Sequence, residues 1–217
     1  MTNEKEYRMS VVLTVHDQAE ALEQQLPLFL SMECGVAYEV IVVDDASIDE
    51  TPDVLSRMKA EYANLYTTFL PATGHNPSRQ RLALTLGVKA AHSDCIVLAD
   101  IQRPPVSAAW MEGLLVSDAA VVLVYSSRRA GQGVYHQPFY HYEEARRLIV
   151  KGERSSGHGH RGRWMKLQRG LYDAVAVNRR HAFDVVRWFD LPVGGFQLMS
   201  LRMHTLLKHL FTTPSWH

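Results

Sequence analysis

The 217-residue sequence has only two cysteines, Cys34 and Cys95, too few and too widely spaced for a disulfide framework. Cys95 opens the apolar run Cys-Ile-Val-Leu-Ala, so both thiols are read as reduced and structural, the usage of a cytoplasmic protein. An excess of charge of one sign is also lacking. Lys+Arg and Asp+Glu both total 23, so no global field favours nucleic acid or an anionic membrane, and any anion binding has to be local. No apolar run approaches the roughly 18 residues that cross a bilayer, and Met1 to Arg8 is polar, unlike a signal peptide. These absences predict a soluble chain with no nucleic-acid partner. Carboxylates are missing from one stretch in particular, since no Asp or Glu follows Asp190.

What is present is a repeated unit of apolar run, polar turn and amphipathic stretch. Val40 to Val43 is a continuous β-branched run, suited to a strand buried on both faces, and Asp44 and Asp45 end it. Ser47 and Asp49 are turn and cap types, Thr51 is a candidate N-cap, and Pro52 suits the first helical position. Upstream, Ser10 to Val15 reads as a strand ending at His16-Asp17-Gln18. A helix follows with Ala19, Leu22, Leu26, Phe29 and Leu30 at helical spacing, Pro27 as a candidate kink and Gly35 as a candidate stop. Downstream come a helix with Val54, Leu55, Met58 and Tyr62 on one face, a strand over Leu65 to Leu70, and a turn-rich stretch from Pro71 to Pro77. The next helix follows Ser78, with Leu82, Ala83, Leu86 and Ala90 as its buried stripe. Cys95 to Ala99 is a fourth strand ending at Asp100-Ile101-Gln102, a helix starts at Ser107, and Ala119 to Tyr125 is a fifth strand.

This alternation predicts an α/β fold, a Rossmann-like, mostly parallel sheet flanked by helices. In such sheets ligands bind outside the carboxyl ends of the strands. The acids after the second and fourth strands and the Thr14-Val15-His16 end of the first therefore converge. Arg79 and Arg81 in a first helical turn oppose the helix dipole at a cost of a few tenths of a kcal/mol each, which predicts an anion nearby.

After Ser126 the composition turns Gly-rich and basic. Gly131, Gly133 and the run Gly152 to Arg163 read as mobile loops, Phe139 to Val150 as helical, Asp173 to Val177 as a strand and Arg180 to Trp188 as a helix. Met199, Met203, Leu206 and Leu210 form the stripe of a terminal amphipathic helix. His158 and His160, beside Arg161 and Arg163, read better as a basic loop than as a metal site, because no cysteine or carboxylate cluster accompanies them.

Four segments in order, SVVLTVHDQAEALEQQLP, EVIVVDDASIDET, SRQRLALTLGVKAA and DIQRPPVSAAW, resemble the inverting family two glycosyltransferases with their A-type nucleotide-sugar fold. The resemblance implies a nucleotide-sugar-binding half over residues 1–125. It also implies an acceptor-side half over 126–217, degenerate relative to the family, within a single continuous domain. By the same resemblance Thr14, His16, Asp44, Asp45, Arg79 and Asp100 bind the nucleotide: Thr14 and His16 border base and ribose, Asp45 pairs with the base, Arg79 lies beside it, and Asp100 reaches the ribose or a metal. A divalent cation, Mn or Mg, would be held by Asp100 and Gln102, and Gln102 stands where the family usually has the second acid of Asp-x-Asp. The late carboxylate pair of the family is missing, and Asp173 is the remaining candidate base, with His181 and His204 as substitutes. The implied activity is transfer of a sugar from a UDP-sugar to a hydroxyl of a glycan or lipid-linked acceptor, with inversion, in cell envelope polysaccharide synthesis. The implied place is the cytoplasm, at the inner face of the membrane, with the C-terminal helix as a docking element for membrane or protein. The alternative is an impaired nucleotide- or sugar-binding protein of the same fold that serves as a partner or regulatory subunit.

Overall fold

The computed structural model describes residues 6–72, 79–105, 121–126, 134–138 and 174–188, together with Met111 and Leu114. The strands are β1 (Met9–Val15), β2 (Tyr38–Asp44), β3 (Leu65–Phe69), β4 (Cys95–Ala99), β5 (Val121–Ser126), β6 (Val134–Pro138) and β7 (Ala174–Asn178). They form one sheet in the order β3-β2-β1-β4-β7-β5-β6. The pairs β1–β2, β2–β3 and β1–β4 are parallel, whereas β7 is antiparallel to β4 and β5, and β6 to β5. Five strands therefore run one way and two the other, which is the mostly parallel α/β sheet expected. No helix among the described residues is long and apolar enough to cross a membrane.

Both faces of the central strands are covered, which is why their sequences do not alternate. Val40 and Val42 pack with Leu22, Leu26 and Phe29 of α1 (Ala19–Leu30) and with Val54 and Leu55 of α2 (Thr51–Glu61). Ile41 and Val43 face the other way, onto Ala83, Leu84 and Val88 of α3 (Arg79–Ala90) and Ala182, Val185 and Val186 of α4 (Arg179–Trp188). Cys95 is free and buried, and burial pushes its thiol up to about 12, as an inert structural cysteine requires. At the amino edge of the sheet, the buried Glu39 carboxylate accepts from Ser10 Oγ at 2.6 Å and His92 N at 2.7 Å, so a charge inside the core is satisfied.

Several expectations shift on the fold. Helix α1 runs through Pro27 and stops at Leu30, well before Gly35. The Leu30 carbonyl, an orphan acceptor at the helix end, is taken by Tyr38 Oη at 2.9 Å and Asn64 Nδ2 at 3.2 Å. Thr51 is the first helical residue and not the N-cap; Glu50 holds the cap position without a side-chain bond, and the Thr51 hydroxyl is spent across the site. The buried stripe of α3 is Ala83, Leu84, Gly87 and Val88, while Leu82 is 41% exposed. Gly87 sets that phase: a Cβ there would lie 2.3 Å from Val12 Cγ1, so only a glycine brings this face onto β1. The short strand β6 went unrecognised, because its five residues carry too little periodicity.

Candidate functional site

The carboxyl ends of β1, β2 and β4 lie side by side, since β1 pairs in parallel with both neighbours. The loops that follow β1 and β2 are stitched together by reciprocal polar contacts. Asp17 Oδ1 accepts from Ile48 N at 2.8 Å, and Ser47 Oγ accepts from Asp17 N at 3.0 Å. Thr51 Oγ1 accepts from Gln18 N at 3.0 Å, and Asp49 Oδ2 accepts from Ala19 N at 3.1 Å. Hydrogen bonding from the Thr51 hydroxyl, with backbone N–H groups behind it, holds the Asp49 carboxyl below its usual range. Asp17 and Ala46 both have positive φ, 50° and 54°, a conformation that costs a non-glycine residue and persists only where surrounding bonds impose it. Here those bonds are on view.

On this base sits a compact acid–base cluster. Asp45 N donates to Val15 O at 2.8 Å, tying the first residue after β2 to the end of β1. His16 Nδ1 is 2.7 Å from Asp45 O. A carbonyl oxygen only accepts, so Nδ1 carries the proton, while Nε2 lies on an exposed edge 3.6 Å from Asp17 Oδ2. The Asp45 carboxylate, 16% exposed, pairs with Arg79 Nη2 from the first turn of α3. The anion that the basic turn called for is thus the chain's own Asp45. Asp44, by contrast, is buried; its Oδ1 accepts from Ser47 N at 3.0 Å and its backbone carbonyl from Leu70 N at 2.7 Å, so it shapes the turn beneath.

The end of β4 is less acidic. Asp100 Oδ1 accepts from Gln102 N at 3.0 Å, and Arg103 Nε lies 3.9 Å from Asp100 Oδ2. Two residues upstream, Leu98 is buried in the core, so Asp100 is the one carboxylate at this strand end whichever way an Asp-x-Asp frame is set. An open groove of about 720 Å³ runs from Gln102 along α1, but Asp17, Glu20, Glu23, Asp49 and Glu50 line it. Those acidic walls repel an anion.

Residues 10–101 match the sequence model of glycosyl transferase family 2. That match takes in β1 to β4 and the polar ends of these strands. It is 28% identical over 204 residues to a dolichol-phosphate mannosyltransferase of Pyrococcus furiosus, covering 93% of this chain and 53% of that protein. Its fold is that of a mannosyltransferase from Pyrobaculum calidifontis solved with GDP-Man and Mn²⁺, at a TM-score of 0.53 and 17% identity, over 84% of this chain and 47% of the other. The chain thus spans about half the length of these relatives.

The fold brings Thr14, His16, Asp44, Asp45, Arg79 and Asp100 to one edge of the sheet. Gln102 is there too, exposed. His181 is not. It lies in the first turn of α4, after Asn178, which pairs with Cys95 at the start of β4, and Asp100 follows the far end of that strand. Five residues of strand, about 3.3 Å each, separate them, so His181 is removed as a substitute base. Asp173, His158, His160, His204 and the stripe from Met199 to Leu210 lie outside the described residues. Sequence reasoning passed over Asp17, whose spacing before a helix looked like ordinary turn chemistry, and Arg103, whose place directly after Gln102 was the available signal.

Proposed function

We propose that this chain transfers a sugar from a nucleoside-diphosphate sugar to a hydroxyl acceptor with inversion at the anomeric carbon. The observation that carries the reading is the cluster His16, Asp45 and Arg79, held rigidly at the carboxyl edge of β1 and β2 beside Asp100. A partly buried carboxylate facing that edge accepts an N–H, which uracil and guanine present on their ring nitrogens and adenine and cytosine do not. The donor is therefore a UDP- or GDP-sugar, with UDP as the sequence-based choice and GDP-Man the donor bound to the Pyrobaculum relative. Thr14 and His16 border base and ribose, Asp44 supports the turn, and Asp100 reaches the ribose.

The residues at the end of β4 do not by themselves make a resident site for Mn or Mg. They offer one carboxylate and one neutral amide, with a guanidinium 3.9 Å from the carboxylate. Among the described residues no group of three His, Cys, Asp or Glu side chains is placed to hold a metal. A hard dication wants more anionic oxygens than that. Asp100 and Gln102 would meet a cation only where the diphosphate supplies its remaining ligands.

Residues 1–125 form the donor side and 126–217 the acceptor side. The attacking hydroxyl must lose its proton, and Asp173 is our candidate base. It immediately precedes Ala174, which opens β7 opposite Ala99, at the same edge as Asp100. A lipid-linked or glycan acceptor at the inner face of the membrane, met through the C-terminal helix, completes the reading. The single carboxylate at β4 favours a second one, a donor-binding protein impaired in transfer.

Calorimetric titration of UDP, GDP, ADP and CDP tests the first reading. UDP or GDP should bind more tightly than ADP and CDP, and Asp45→Ala should weaken the tighter ligand by about 1–3 kcal/mol, the cost of an unmatched polar group. Equal affinity in wild type and variant excludes Asp45 from base recognition.

A further inference from the structure

We infer that Arg103 is a diphosphate-binding residue, the chain's own positive charge at the end of β4, and that it selects nucleoside diphosphates over monophosphates without a metal. The inference rests on the donor site proposed above. Asp100 and Arg103 close a tight turn in which Arg103 N donates to Asp100 O at 2.9 Å. Pro104 follows and restricts the Arg103 backbone away from helical conformation, so the chain cannot carry the side chain off into a continuing helix. Arg103 Nε is held 3.9 Å from Asp100 Oδ2, with the two side chains 29% and 53% exposed. A phosphate oxygen arriving at this edge carries more charge than a single carboxylate and matches the planar fork of a guanidinium.

The charges around the site point the same way. Arg79 is committed to Asp45, and the neighbouring Asp17, Asp44 and Asp49 are engaged with backbone N–H groups and leave the edge negative. A diphosphate entering there needs a cation. With Leu98 in the core and Gln102 neutral, Asp100 alone cannot hold a dication firmly, and Arg103 brings a cation to the same turn.

The test is equilibrium titration of the full chain with UDP, UMP, GDP and GMP in EDTA and again with Mn²⁺, using wild type, Arg103→Ala and Arg103→Lys. In EDTA the wild type should prefer the diphosphate of its base about tenfold or more, the usual worth of a charge-assisted contact. Arg103→Ala should lose that preference while binding the monophosphate within about twofold of wild type, which shows that the base and ribose site is still folded. Arg103→Lys should fall between, since it keeps the charge and loses the fork. Mn²⁺ should restore diphosphate affinity to Arg103→Ala more than it raises that of wild type. A diphosphate preference that survives Arg103→Ala in EDTA, or one that appears in wild type only with Mn²⁺, overturns the assignment and leaves the donor site standing. A wild type that binds none of the four nucleotides overturns both.

Discussion

Gly87 is a point of close approach between α3 and β1, and it connects packing to the Arg79–Asp45 pair. A Cβ at this position would lie 2.3 Å from Val12 Cγ1 and 3.2 Å from Val43 Cγ2. Real Cβ atoms approach no nearer than 3.0 Å, so Gly87→Ala requires the helix or Val12 to give by at least 0.7 Å, the difference between 3.0 and 2.3. Val12 is fully buried in the central strand, and overpacking of this kind costs about 1–3 kcal/mol. Alanine is about 1 kcal/mol better than glycine inside a helix, which offsets part of the strain. The net loss should be about 1 kcal/mol, or roughly 2–4 °C in Tm for a chain of this size. Because α3 begins at Arg79, the outward shift also moves the guanidinium that pairs with Asp45, and nucleotide affinity should fall in step. Val12→Ala removes the clashing methyl and by itself leaves a small cavity costing about 2 kcal/mol. Urea unfolding of the wild type, both single variants and the double variant should show the double variant more stable than the sum of the singles by about 1 kcal/mol. Strict additivity, or a Gly87→Ala protein more stable than wild type with Val12 intact, would refute the close approach.

Three further outcomes are open to measurement. Gln102→Asp adds a hard anionic ligand beside Asp100 and should increase the dependence of UDP or GDP affinity on Mn²⁺; an unchanged dependence places Gln102 away from the diphosphate. Asp173→Asn should lower sugar transfer by about 10²–10⁴-fold with donor affinity preserved, the share a positioned base supplies, whereas equal transfer rates would remove Asp173 from the chemistry. His181 is depressed below its ordinary 6.5, first by burial, with Arg180 adding to it and Asp184 opposing. Its contribution to stability is therefore complete above 6.5 and is lost as pH falls through the lowered folded value. His181→Gln should flatten the decline in stability as pH falls below 6.5, and an unchanged slope would assign that decline to other groups.

The sequence by itself determined the strands and their polar ends. Val40 to Val43 and Cys95 to Ala99 have no polar residue to place in water, so they had to be central strands covered on both faces, and the acids after them had to lie at the strand ends. That logic located His16, Asp45 and Asp100, and the Arg79 turn was legible as a cation in search of an anion. Three things required the tertiary structure. The phase of α3 depends on a 2.3 Å approach between Gly87 and Val12, residues 75 positions apart, which no local hydrophobic period encodes. The roles of Thr51 and Asp49 depend on donors in the β1 loop, and a cap type read from its neighbours alone cannot reveal a partner across the site. The position of β7 between β4 and β5 brings Ala174 to the edge that bears Asp100 and carries His181 to the opposite one. A strand's own residues fix that it pairs, but its direction and neighbours follow from where the rest of the sheet leaves an open edge.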